Sequence, residues 1–132
     1  MRLRFWFLSI IATAFFAMTV YGHHSHAATY LTTKQQMIEG RIVQVTIRNP
    51  HSFLHVAVPG PDGKEQTWAI EWAAGTQLNR VGVDGKTLHT GDQVTVTGSP
   101  SRNPDQSRML MIVIDRKSDG WSWGRRAGEA VD

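Results

Sequence analysis

Short runs in which aliphatic and polar residues alternate, each soon cut off by proline or glycine, leave this chain of 132 residues little room for anything but β-structure. Over 37–49, Val43, Val45 and Ile47 alternate with Gln44, Thr46 and Arg48, which predicts a first strand with its aliphatic groups on one face and a bend or bulge at Gly40. Asn49-Pro50 ends the pairing, because proline has no N–H to donate and restricts the residue before it. A second strand is expected over 51–58, with Leu54, Val56 and Val58 inward and His51, Phe53 and His55 on the other face. Pro59-Gly60-Pro61-Asp62-Gly63 signals a tight reversal. The returning strand, 66–72, carries Trp68, Ile70 and Trp72 on one side and Ala69 and Glu71 on the other.

Residues 73–81 have the spacing of a short helix, with Thr76 as N-cap, Leu78 and Val81 three apart and Gly82 as the stop. Val94 and Val96 define a fourth strand, 99–108 reads as an exposed loop, and 109–114 is apolar on both faces. Three strands, a short helix and two more strands are the chain order of an all-β, five-stranded Greek-key OB barrel, here expected over 37–115. The remainder, 116–132, is expected to be an irregular tail.

The start of the chain belongs to a different category. Arg2 and Arg4 precede an apolar run from Phe5 to Val20, and Val20-Tyr21-Gly22 offers a small-residue cleavage site, so 1–22 reads as a signal peptide of an exported, periplasmic protein. The run falls just short of a membrane span, which favours cleavage over anchoring and limits membrane contact to the export segment. Two of the 14 basic side chains fall in that segment, and the remaining ones nearly balance the 11 acidic ones. With no concentrated basic stripe, nucleic acid is not expected as a partner. The absence of cysteine excludes disulfides and thiolate metal sites.

Chemistry concentrates in the histidines. His23, His24 and His26 open a His-rich leader, 23–36, and imidazole is the commonest protein ligand for transition metals. His51, at the Asn-Pro corner, is the barrel residue expected to join them, with His55 in reserve and Glu71 as a carboxylate ligand or orienter. His51 and His55 stand roughly 13 Å apart along an extended strand and so do not share an ion. Copper is the expected metal. Cleavage after Ala27, which also satisfies the small-residue rule, would instead discard all three leader histidines. The bland alternatives are an unordered leader and a His51 that merely binds a turn carbonyl. No nucleophile elbow or phosphate loop is present, so a binding protein is expected rather than an enzyme.

The joint presence of an export segment followed by His23-His24-Ser25, the Asn49-Pro50-His51 corner, Trp68-x-x-Glu71 and Gly91-Asp92-x-Val94-Thr95-Val96-Thr97-Gly98 resembles a family of small exported bacterial proteins of unknown function. The resemblance covers nearly all of the chain beyond the export segment through Ile114. It implies export and an OB-like barrel, and it implies no activity. His26 and His55 stand where that family commonly has aromatics. The fold by itself points to an alternative: a glycan, small-anion or envelope-protein module using Phe53, Trp68 and Glu71.

Overall fold

A computed structural model describes residues 25–124. The expected export segment, His23 and His24 lie outside them. The elements are α1 (Ser25–Thr29), β1 (Gln36–Thr46), β2 (Ser52–Pro59), β3 (Glu65–Trp72), α2 (Gly75–Arg80), β4 (Gln93–Pro100), β5 (Arg108–Arg116) and β6 (Ser122–Gly124). The strands form one sheet in the order β3-β2-β1-β4-β5-β6, and a parallel pairing of β3 with β5 closes its first five strands into a barrel. Closure removes the free edges that an open sheet would present. The fold is therefore the all-β, five-stranded OB-like barrel, with α2 between the third and fourth strands.

Leu54, Val56, Ile70, Trp72, Val94, Val96, Met109 and Ile114 fill the interior. The first strand differs from the simple alternation. Ile38, Gly40 and Ile42 face inward, the register with β2 then shifts between Ile42 and Gln44, and Val45 and Ile47 take over the packing. Val43 is the extra residue at that bulge and is left outside the core cluster, contrary to the expectation that it shares a face with Val45 and Ile47. Gly40 is not the bulge. It is where β2 comes closest, since a Cβ there would stand 2.2 Å from the Ala57 carbonyl oxygen.

Three other segments depart from expectation. Thr76 does not cap α2; its N–H and hydroxyl both donate to Asn49 Oδ1, at 3.1 and 3.2 Å, so the corner after β1 supplies the acceptor for the helix start. Leu78 is buried but Val81 is exposed, and Val83 takes the inward position after the turn at Gly82, whose φ of +78° suits glycine. The 99–108 segment is not wholly exposed, because β4 continues to Pro100, and Ser99 and Ser101 are buried. Within the described part of the tail, Ser122–Gly124 is not irregular. β6 pairs with β5, and Trp123 meets Trp72 edge-on at 5.2 Å between ring centroids.

Replacing Gly40 with Ala drives a methyl group into the β2 backbone, whereas nothing lies within 4 Å of a Cβ at Gly85. Gly40→Ala is expected to lose about 1–3 kcal/mol of stability through overpacking. Gly85→Ala is the matched control and should stay close to wild type in a urea melt. Equal midpoints for the two variants would refute the close-approach account.

Candidate metal centre

The sheet register assembles one side of the site. Phe53 on β2 pairs directly with Glu71 on β3, which makes His51, two residues before Phe53, a diagonal neighbour of the carboxylate. On the other side of β3, Arg108 at the start of β5 pairs with Ala69, two residues before Glu71. Strand periodicity thus aims His51, Phe53, Glu71 and Arg108 at one patch of the outer barrel surface.

The leader supplies the rest. The Tyr30 N–H donates to the His26 carbonyl at 2.7 Å, a one-turn helical bond that sets the two side chains on the same face. Tyr30 bridges to Ser101, the Leu31 N–H donates to the Pro100 carbonyl, and Arg102 donates through its backbone N–H to the Thr29 carbonyl and through Nε to that of Ala27. These bonds dock the leader against the β4–β5 loop, and Tyr30 is completely buried. The alternative of an unordered leader does not describe residues 26–31, which these bonds tie to the barrel.

Glu71 is only 6% exposed, and its two oxygens have separate duties. Oε2 accepts from the Tyr30 hydroxyl at 2.5 Å and from Arg108 Nη2 at 2.7 Å, while Arg108 Nε donates to the Tyr30 oxygen at 2.7 Å. Oε1 faces His51 Nδ1 at 3.1 Å and His26 Nε2 at 3.4 Å. Burial alone would favour the neutral acid. The hydrogen bonds from Tyr30 and Arg108 and the charge of His51 outweigh it and hold the carboxyl below the usual glutamate range. Burial, and then the neighbouring carboxylate, push the Tyr30 phenol far upward, so it stays protonated and donates. Arg108 is also stacked over the Tyr30 ring, 5.5 Å from its centroid.

His26 Nε2 is a buried nitrogen without a hydrogen-bond partner, close enough to Glu71 for an ion pair but not aligned for a hydrogen bond. The three donor atoms of His26, His51 and Glu71 lie within 4.8 Å of one another. Donors bound to one transition ion at about 2.0–2.2 Å stand roughly 3 Å apart, so both histidine–carboxylate separations fit a common ion. Two imidazoles and a carboxylate suit first-row divalent metals.

Of the other residues singled out in the sequence, His23 and His24 lie outside the described residues. His55, opposite Ala69, is outside the cluster, although its Nδ1 is also buried without a partner. Phe53 lines a cleft of about 390 Å³ next to the donors, together with Arg48, Asn49, Pro50, His51, Glu71 and Arg108. Trp68 lines a separate cleft of about 430 Å³ with Gln36, Gln66, Asn103 and Gln106 among its walls. Tyr30 is the participant that sequence reasoning missed. Its only local sign is its place four residues after His26, and Arg108 falls at the end of the 99–108 segment that reads as an exposed loop.

The depressed Glu71 ionisation has a consequence for folding. Because its folded value lies below the ordinary value near 4.5, the carboxylate contributes stability that is complete above that pH and is lost as pH falls through the depressed value. The stability gap between wild type and Glu71→Gln should therefore be widest near neutrality and narrow as acid is added below about pH 4.5. Urea melts of metal-free protein from pH 7 to pH 3 measure this. A gap independent of pH would mean that Glu71 is not held ionised.

No curated protein matches the sequence. The barrel is similar to the mitochondrial single-stranded DNA binding protein Rim1 of S. cerevisiae. One crystal form gives a TM-score of 0.50 at 16% identity, over 64% of this chain and 92% of that one; another gives 0.48 at 18%, over 64% and 93%. This likeness is one of fold. It corrects the expectation that nucleic acid is not a partner, since a barrel of this kind serves single-stranded DNA in Rim1. A family match spans residues 11–109 and so takes in His26, Tyr30, His51, Glu71 and Arg108. The chain belongs to DUF6152, a family of unknown function.

Proposed function

We propose that this protein is an exported OB-barrel protein that binds a transition metal, Cu(II) foremost, through His26 Nε2, His51 Nδ1 and Glu71 Oε1. The observation that carries the reading is the buried, unpartnered His26 Nε2 beside a carboxylate oxygen that also faces His51. A lone buried nitrogen is costly, and a metal ion shared with His51 and Glu71 relieves that cost at His26. Tyr30 and Arg108 hold the other carboxylate oxygen and fix the orientation of Glu71, the part that outer partners play in metal sites. Copper is favoured because imidazole suits it and because Cu(II) heads the affinity order of the divalent series.

Export rests on the segment 1–22 and sets a condition on processing. Cleavage after Gly22 keeps His26, whereas cleavage after Ala27 removes a donor and the Ala27 carbonyl that Arg102 holds. The functional product is therefore the one that begins upstream of His26.

A second reading, single-stranded nucleic acid on the β2–β3 face, is favoured by Phe53, which lies under the guanidinium groups of Arg48 and Arg108 at 5.7 and 5.8 Å. Aromatic and arginine side chains together form the stacking surface that single strands use.

Calorimetric titration of the processed protein with Cu(II), Ni(II) and Zn(II) tests the first reading. His26→Ala, His51→Ala and Glu71→Gln should each abolish tight binding. Tyr30→Phe should weaken it by roughly 10–100-fold, as outer-partner changes do, and His89→Ala should leave it intact. Affinities indifferent to His26 and His51 would end the proposal. For the second reading, fluorescence anisotropy with an oligothymidylate should show salt-sensitive binding that Phe53→Ala removes. An oligonucleotide that stays free at low salt would dismiss it.

A further inference from the structure

We infer that the cleft beside the three donors takes a small oxyanion, a carboxylate or a phosphate group, which completes the coordination of the bound ion and is gripped at its far side by Arg48. This rests on the metal reading of the site and adds the class of its second ligand.

Three protein donors leave a divalent transition ion short of the four to six it normally takes, and open positions are where exogenous ligands enter. The cleft of about 390 Å³ has both His51 and Glu71 in its wall, so a molecule seated there reaches the ion directly. Its volume, at the lower end of the range of small-molecule sites, leaves room for a carboxylate or phosphate group and for the molecule that carries it.

The charges select the class. Glu71 is the sole acidic side chain lining the cleft, and Arg108 already neutralises it. A divalent ion and Arg48 then leave a clear positive excess, which favours an anion over a neutral or cationic guest. Among the described residues no carboxylate stands within ion-pair distance of Arg48. Its guanidinium is exposed but not loosely placed. It lies over the Phe53 ring at 5.7 Å, its backbone N–H donates to Ser52 Oγ at 3.2 Å, and its carbonyl accepts from the Gly75 N–H at 2.9 Å. A planar fork anchored at the rim of a cleft matches the paired oxygens of a carboxylate or phosphate. Phe53 supplies the apolar floor between Arg48 and Arg108 and limits hydration of the bound anion.

The experiment uses protein loaded with one equivalent of Cu(II) in a non-coordinating buffer, titrated separately with inorganic phosphate and with acetate. Visible absorption and electron paramagnetic resonance of the copper are followed. The expected result is a saturable spectral change with at least one anion, the stronger responder identifying the oxygen chemistry preferred. Arg48→Ala should weaken that response by about tenfold, in keeping with the loss of a charge-assisted contact, while copper affinity without added anion stays at the wild-type value. Copper uptake with spectra indifferent to both anions, or an undiminished response in Arg48→Ala, overturns this inference and leaves the metal reading standing. Failure to take up copper at all removes both.

Discussion

The buried carboxylate of Glu71 is the interaction on which the rest of this structure turns. An ionised group with 6% of its surface exposed survives only if hydrogen-bonded and charge-compensated, and its partners come from three separate parts of the chain. Tyr30 brings the leader, Arg108 brings the first residue of β5, and His51 brings the corner before β2. Satisfying one carboxylate therefore ties the leader to the seam where β3 meets β5. That seam is the parallel pairing that closes the barrel. The same acid that organises the candidate site sits within the pairing that closes the barrel.

The division of labour between the two carboxylate oxygens is what separates this arrangement from an ordinary buried ion pair. Were Glu71 only a structural counter-ion for Arg108, both oxygens could turn toward the guanidinium in the bidentate geometry such pairs favour. Instead Tyr30 shares Oε2 with Arg108, and Oε1 is turned toward two imidazoles. One of those imidazoles has no hydrogen-bond partner at its buried nitrogen. The unfavourable desolvation of that nitrogen is the local cost that a ligand would offset.

Much of this was legible in the residues, and the parts that were not share a cause. The strand order, the helix between β3 and β4 and the Asn-Pro-His corner follow from period-two alternation and from proline and glycine, which act locally. Glu71 was legible as a residue set against Trp68 and Trp72, because strand alternation placed it on the opposite face. The bulge at Val43 was not, since one extra residue leaves no local signature in a run of Val, Gln, Val and Thr. Thr76 has the right chemistry for an N-cap, but Asn49, 27 residues away, supplies the acceptor. Tyr30 and Arg108 escaped for the same reason: their partner is 41 and 37 residues distant, and no periodicity reports on a contact made through tertiary folding. β6 is the exception. Trp121 and Trp123 already stood two apart, a strand spacing that the surrounding glycines and polar residues obscured.

Metal binding at this site also implies something about the leader. His26 and Tyr30 reach the barrel on the same helical turn, so any ion that joins His26 to His51 and Glu71 stabilises the docked leader over the undocked one. Linkage then requires the converse: interactions that dock the leader raise the affinity for the ion by the same factor. The Tyr30–Glu71 hydrogen bond, the Tyr30–Ser101 bridge and the grip of Arg102 on the Ala27 carbonyl are such interactions, and Arg102 touches no donor atom. On the proposed metal reading, the affinity of the centre is set partly by the bonds that hold α1 and Tyr30 to the barrel. The barrel supplies two donors in fixed register, and the docking of five helical residues and one tyrosine decides whether the third is present.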